Sequence, residues 1–108
     1  MFVTFEGPEG AGKSTVLAKV AESFRAEGRS VVETREPGSG EIGAKIREIL
    51  LGPMGETPCP ECELFLFLAD RAQHVSTVIK PALERGAVVL CDRFTDSTVV
   101  YQGYGRGM

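Results

Sequence analysis

Gly7-Pro8-Glu9-Gly10-Ala11-Gly12-Lys13-Ser14 fits the pattern G-x-x-x-x-G-K-[ST] at every fixed position. Its surroundings fit as well. Phe2 to Phe5 is a short β-type run, and Val16, Leu17, Val20, Ala21 and Phe24 recur behind it at helical spacing. A strand, a glycine turn and a helix in that order make a phosphate cradle. The glycines let the backbone turn successive N–H groups inward, and the helix adds its positive end. The phosphate-contacting run is then Gly7, Pro8, Glu9, Gly10, Ala11, Gly12, Lys13, Ser14 and Thr15. Lys13 would set its ammonium against the β- and γ-phosphates of a bound nucleotide, and Ser14 would offer a hydroxyl to Mg²⁺. A glycine turn that matched by chance would not bring both flanking elements with it.

Outward from this motif the elements alternate. Gly28 follows the first helix as a stop. Ser30 to Thr34 reads as a second strand, broken by the loop Glu36-Pro37-Gly38-Ser39-Gly40. Ile42, Ile46, Ile49 and Leu50 mark a second amphipathic helix, and Gly52 to Pro60 is a loop. A longer helical segment follows, with Leu64, Leu68, Ala72, Val75, Ile79 and Ala82 as its apolar stripe; Pro81 kinks it or starts a final short turn, and Gly86 ends it. Ala87 to Cys91 has no alternation, so both faces of this third strand are expected to be buried. The fold class is α/β: a P-loop NTPase-type parallel sheet of three visible strands with flanking helices. Asp92, at the end of an apolar strand, is a second candidate ligand for Mg²⁺ beside Ser14. The bland alternative is that it caps the next helix.

The chain has 108 residues, one small domain's worth. Its net charge of -3 argues against a nucleic-acid groove. No apolar run reaches membrane-span length, and Met1 to Glu6 lacks the basic leader of a signal peptide. The expected compartment is the cytoplasm. Cys59-Pro60-Glu61-Cys62 is half of a tetrahedral zinc site with no second pair, so it reads as two reduced thiols in a loop leading into a helix. Cys91 reads as a small core residue.

A second substrate is suggested by four features. Arg35 ends the second strand, where a parallel sheet opens onto its ligand crevice, and a guanidinium there can grip a phosphate. Phe67 and Arg71 are four apart on the long helix and share a face; a ring and a guanidinium side by side suit a nucleobase. Standing alone, that pair would read as a core Phe and a solvent Arg. Arg93 follows Asp92 at the same sheet edge. Asp96 to Gly103 adds small polar groups and Tyr101.

These blocks together resemble the thymidylate kinase family. The resemblance rests on Phe5 to Thr15, Thr34-Arg35-Glu36-Pro37-Gly38, Ala69-Asp70-Arg71-Ala72-Gln73-His74, Asp92-Arg93-Phe94 and Tyr101-Gln102-Gly103-Tyr104-Gly105-Arg106-Gly107, in order along the chain. It implies transfer of the γ-phosphoryl of ATP to dTMP, giving dTDP, with Mg²⁺ as cofactor and with Lys13, Arg35 and Arg93 as the catalytic cations. It implies a dTMP pocket of Glu9 on the sugar 3′-hydroxyl, Arg35 and Arg93 on the acceptor phosphate, Phe67 and Arg71 on thymine, and Pro37 near the 5-methyl group. Thr98, Tyr101 and Gln102 would complete that pocket, with Tyr101 excluding a 2′-hydroxyl. It also implies a homodimer, acting on ATP and dTMP with no nucleic acid and no membrane. Ser39-Gly40, Phe94 and Cys59-Pro60-Glu61-Cys62 depart from the family pattern without touching these residues. Members of the family are longer, so residues 1–108 are expected to be the N-terminal part of one kinase domain, with the lid and C-terminal strands beyond it. Such a part alone would leave a sheet edge unpaired and fold poorly, and would turn over slowly without the lid's arginine. The competing readings are another P-loop nucleotide or nucleoside kinase, and a non-catalytic ATP-binding module. The module would have no need of three arginines converging on a second pocket.

Overall fold

A computed structural model of the chain describes residues 1–7 and 12–94. Pro8, Glu9, Gly10, Ala11, Thr98, Tyr101 and Gln102, all expected at the site, lie outside the described residues. The described chain runs β1 (Phe2–Gly7), α1 (Lys13–Ala26), β2 (Val31–Glu36), α2 (Gly40–Leu51) and α3 (Pro60–His74). A π-helical turn (Val75–Ile79), α4 (Lys80–Glu84) and β3 (Val88–Phe94) follow. The three strands form one parallel sheet in the order β1-β3-β2. Gly28 and Gly86 close the helices as the sequence suggests, each donating its N–H back to the last turn.

β3 is the centre of the molecule because it is apolar on both faces. Val88, Val89, Leu90 and Cys91 are all 0% exposed. Alternation sorts them. Val88 and Leu90 meet Leu17 and Ala21 of α1, with Val3, Phe5, Val20, Phe24 and Val31 closing around them. Val89 meets Ile79, Ala82 and Ala87 on the other face, with Val32. Each buried Val or Leu stabilises the fold by about 1.5–3 kcal/mol, so this one strand anchors both layers.

Two expected apolar stripes are corrected. On the long helix Leu68 and Val75 are exposed, at 52% and 38%. The buried positions are instead Asp70 and His74, then Ile79 and Ala82. Two causes act together. Asp70 and His74 are buried because polar partners await them, which hydrophobic periodicity cannot register. The π-helical turn then places His74 and Ile79, five apart, on the same side, where a 3.6-residue repeat would separate them. Pro81 lies just beyond, at the first positions of α4. On α2, Ile42 is 53% exposed and the inward face is Gly43 and Ile46.

Gly43 is inward because the chain passes too close for a side chain. A Cβ there would lie 3.0 Å from Asp70 Oδ1 and 3.1 Å from the backbone carbon of Gly38. α2, α3 and the loop after β2 therefore meet at one point, at the C-terminal end of the sheet.

Candidate nucleotide-binding site

The period-two alternation of β2 and β3 divides the sheet edge into two chemistries. Arg35 pairs in register with Asp92, and Glu36 with Arg93. Residues in register share a face, so Asp92 stands on the α1 side and Arg93 on the α3 side.

On the α1 side, Lys13 folds back over the strand ends. Its Nζ donates to the carbonyl of Gly7 at 2.7 Å and to that of Arg93 at 3.1 Å. It also stands 2.7 Å from Asp92 Oδ1, and the Lys13 side chain is only 9% exposed. The Asp92 contact is a charge pair rather than an aligned hydrogen bond: Oδ1 is buried and has no hydrogen-bond partner among the described residues. A cleft of about 500 Å³ opens beside it, lined by Ser14, Thr34, Arg35, Ser39 and Asp92 among others. Ser14 and Thr15 lie exposed in the first turn of α1. A buried carboxylate oxygen held only by a charge pair with Lys13, with a serine lining the same cleft, is a donor set that fits Mg²⁺, which takes few protein oxygens and keeps its waters.

On the α3 side, cations gather around one carboxylate. Glu36 is 5% exposed. Its Oε1 accepts from Arg71 Nε at 2.5 Å and faces Arg93 Nε at 3.3 Å. Its Oε2 lies 2.6 Å from His74 Nδ1. Burial would raise the Glu36 carboxyl, but the hydrogen bonds from His74 and Arg71 and the charges of Arg71 and Arg93 outweigh it and hold the group below its ordinary range. His74 Nε2 is 2.6 Å from Thr34 Oγ1, which is 3.1 Å from Ser39 Oγ. Phe67 is half-buried one turn before Arg71, on the face that also carries Asp70 and His74.

The loop between these halves is tied from three directions. Gly38 N–H donates to Asp70 Oδ1 at 3.1 Å, Arg47 Nη1 to the Pro37 carbonyl at 2.9 Å, and Arg35 Nε to the Gly38 carbonyl at 3.3 Å. Pro37 is fully buried, and its peptide bond with Glu36 is cis. Arg35, exposed, also borders a second hollow of about 580 Å³ with Arg47 and Phe94. Cys59 and Cys62 are exposed free thiols at the start of α3, far along the chain from this edge, and Cys91 is buried as expected.

The structure thus brings Lys13, Ser14, Arg35 and Asp92 to one cleft and gathers Arg71 and Arg93 around Glu36. Sequence reasoning gave Glu36, Asp70 and His74 no individual roles. The signal for them was present. Thr34 and Glu36 are two apart on a strand, and Asp70 and His74 four apart on a helix, so each polar pair points one way.

A lysine leading into a helix from a glycine turn and reaching back over the carboxyl ends of parallel strands marks the P-loop nucleotide-binding proteins of the α/β class. The family model described as thymidylate kinase matches residues 5–108, and the chain belongs to the thymidylate kinase family. It is 60% identical over all its 108 residues to a thymidylate kinase of Pseudomonas fluorescens (strain Pf0-1), covering 51% of that protein. It is 58% identical to one of Nitratidesulfovibrio vulgaris (strain DSM 19637 / Miyazaki F), covering 50%. A crystal structure of thymidylate kinase from Ehrlichia chaffeensis superposes with a TM-score of 0.78 at 42% identity, over 100% of this chain and 62% of that one. The chain spans about half the length of the curated relatives it matches.

Proposed function

We propose that the protein carrying this chain transfers the γ-phosphoryl group of ATP to dTMP, giving dTDP and ADP. The observation that carries the reading is the split sheet edge. A lysine–carboxylate pair stands on one face, and two arginines gathered on a buried carboxylate stand on the other, within a chain that belongs to the thymidylate kinase family.

Lys13 leaves Asp92 to bind the β- and γ-phosphates as they arrive on the run Gly7 to Thr15. Ser14 and Asp92 would hold Mg²⁺, which when bound neutralises charge on the phosphate oxygens. Arg35 and Arg93 bind the acceptor phosphate. Arg71 gives its Nε to Glu36 and keeps its terminal nitrogens for the O4 of thymine, which stacks on Phe67. Glu9 accepts from the 3′-hydroxyl, Pro37 backs the 5-methyl side, and Thr98, Tyr101 and Gln102 close the pocket. The protein aligns two anions and offsets their repulsion; the acceptor is already ionised and needs no general base. The chain forms the N-terminal part of one kinase domain, and the reading carries with it a cytoplasmic enzyme of dTDP biosynthesis. It also implies a homodimer, for which Phe65, Leu68 and Val75 offer an exposed apolar face on one helix.

The test is calorimetric titration of the full-length protein with dTMP, UMP and GMP in Mg²⁺ buffer, with ADP formation measured alongside. Selective dTMP binding and dTMP-dependent ADP formation are expected. ATP binding with no uptake of dTMP would overturn the reading.

A further inference from the structure

Among the described residues His74 is the largest polar side chain that is fully buried, at 1% exposure, and the transfer chemistry makes no direct use of it. Both its ring nitrogens are engaged, Nδ1 with Glu36 Oε2 and Nε2 with Thr34 Oγ1, each at 2.6 Å. An ionised carboxylate only accepts, so Nδ1 carries the hydrogen that Glu36 receives. A carboxylate is planar, so pinning Oε2 also aims Oε1. Oε1 is the atom that Arg71 and Arg93 approach. Arg71 and His74 are three apart on α3 and so reach Glu36 from one helix face, while Arg93 reaches it from the neighbouring strand.

The same neighbourhood could be taken for a metal centre, since Glu36, His74 and Cys91 bring ligand atoms within 4.8 Å of one another. The chemistry is against it. Burial pushes the Cys91 thiol up to about 12, which opposes the thiolate a metal would need. Both imidazole nitrogens are already committed, and the carboxylate is surrounded by cations.

We propose that His74 is a positioning residue for the acceptor nucleotide, fixing the Glu36 carboxylate so that it presents Arg71 and Arg93 to dTMP. The inference rests on the thymidylate kinase reading above and adds to it the group that sets the two arginines. Without His74 the Glu36 plane turns, and both guanidinium groups lose a fixed partner while remaining close to the pocket. A buried charged hydrogen bond of this kind is worth enough to change affinity by about tenfold or more.

Two near-isosteres separate positioning from packing. An Asn amide nitrogen reaches roughly where Nδ1 stands, and a Gln amide reaches roughly where Nε2 stands. In the full-length protein, His74→Gln should lower kcat/KM for dTMP by about tenfold or more, chiefly through KM, with KM for ATP within about threefold. His74→Asn should bring kcat/KM for dTMP back to within about threefold of the parent. Equal losses in both variants, or no loss in His74→Gln, would overturn the proposal. If His74→Gln does not fold, His74→Asn decides alone: a tenfold loss there refutes the Glu36 link, and near-parent kinetics support it. A parent protein that does not take up dTMP at all would instead remove the functional reading, and that failure is visible before any variant is made.

Discussion

Glu36 and Arg93 stand opposite each other on neighbouring parallel strands, and their side chains meet on the α3 face with Arg93 Nε 3.3 Å from Glu36 Oε1. One residue earlier on each strand, Arg35 and Asp92 are in register on the opposite face. The sheet therefore keeps the carboxylate paired with Lys13 apart from the carboxylate that holds the arginines.

This pairing has a pH signature. The Glu36 carboxyl is held below its ordinary 4.5 in the folded state. Its contribution to stability is complete above the unfolded value and is lost as pH falls through the lowered folded one. Glu36→Gln should cost about 2 kcal/mol at pH 7, less than for a fully buried pair because Arg71 is half-exposed. The gap between parent and variant in urea unfolding should narrow as pH falls below the unfolded value and through the lowered folded one.

Asp70 behaves in the opposite sense. Burial raises its carboxyl above the ordinary 3.8, although the Gly38 N–H bond pulls the other way. A raised folded value favours the protonated form, so this group's stabilisation is present below the unfolded value and lost as pH rises through the folded one. Asp70→Asn keeps an oxygen for Gly38 and sheds the buried charge. It should gain about 1 kcal/mol at pH 7 and nothing at about pH 3, measured by thermal unfolding at both.

Lys13 ties the strand ends together and, in the function proposed above, binds the phosphates. Lys13→Met removes two hydrogen bonds to strand-end carbonyls and the charge beside Asp92. Turnover of dTMP by the full-length protein should fall by about 10²–10³. Melting temperature should fall as well, because two half-buried carbonyls lose their donor.

Gly43→Ala tests the close approach of α2 to the loop. Alanine favours a helix by about 1 kcal/mol. The added Cβ would nonetheless meet Asp70 Oδ1 at 3.0 Å and Gly38 backbone at 3.1 Å. The variant should be net destabilised by about 1 kcal/mol, with KM for dTMP raised as well, since the displaced loop directly follows Glu36 and is tied to Asp70.

The homodimer proposed above would use the exposed apolar face of α3. Leu68→Glu places a charge on a position that is 52% exposed in this chain. It should leave the monomer's fold intact and, on the homodimer proposed above, shift the full-length protein toward monomer in analytical ultracentrifugation. An unchanged dimer would place the interface elsewhere.

Much of this was legible in the sequence, and the reasons are specific. Gly28 and Gly86 end helices where expected, and β3 shows its double burial through an unbroken apolar run. Lys13 could be set at the sheet edge from the glycine-rich phosphate pattern, and Asp92 and Arg93 from the end of the third strand. The inward face of α3 was not legible, because Asp70 and His74 are buried for their partners rather than for their hydrophobicity. Those partners, Gly38 and Glu36, are more than thirty residues away. The inward face of α2 was missed for a related reason: Gly43 contributes by having no side chain, which an apolar count does not score.

The π-helical turn at Val75–Ile79 acts as a phase shifter. Ahead of it, α3 is clocked so that Asp70 and His74 face the loop and the carboxylate; behind it, Ile79 and Ala82 are clocked onto β3. Removing one residue from the turn would restore a continuous α-helix and rotate one half against the other by about 100°. Either the arginine-bearing face or the sheet-anchoring face would then point away. The length of that segment is therefore as much a determinant of the proposed acceptor side as the identity of any residue in it, and lineages that alter it would have to re-cut one of the two faces.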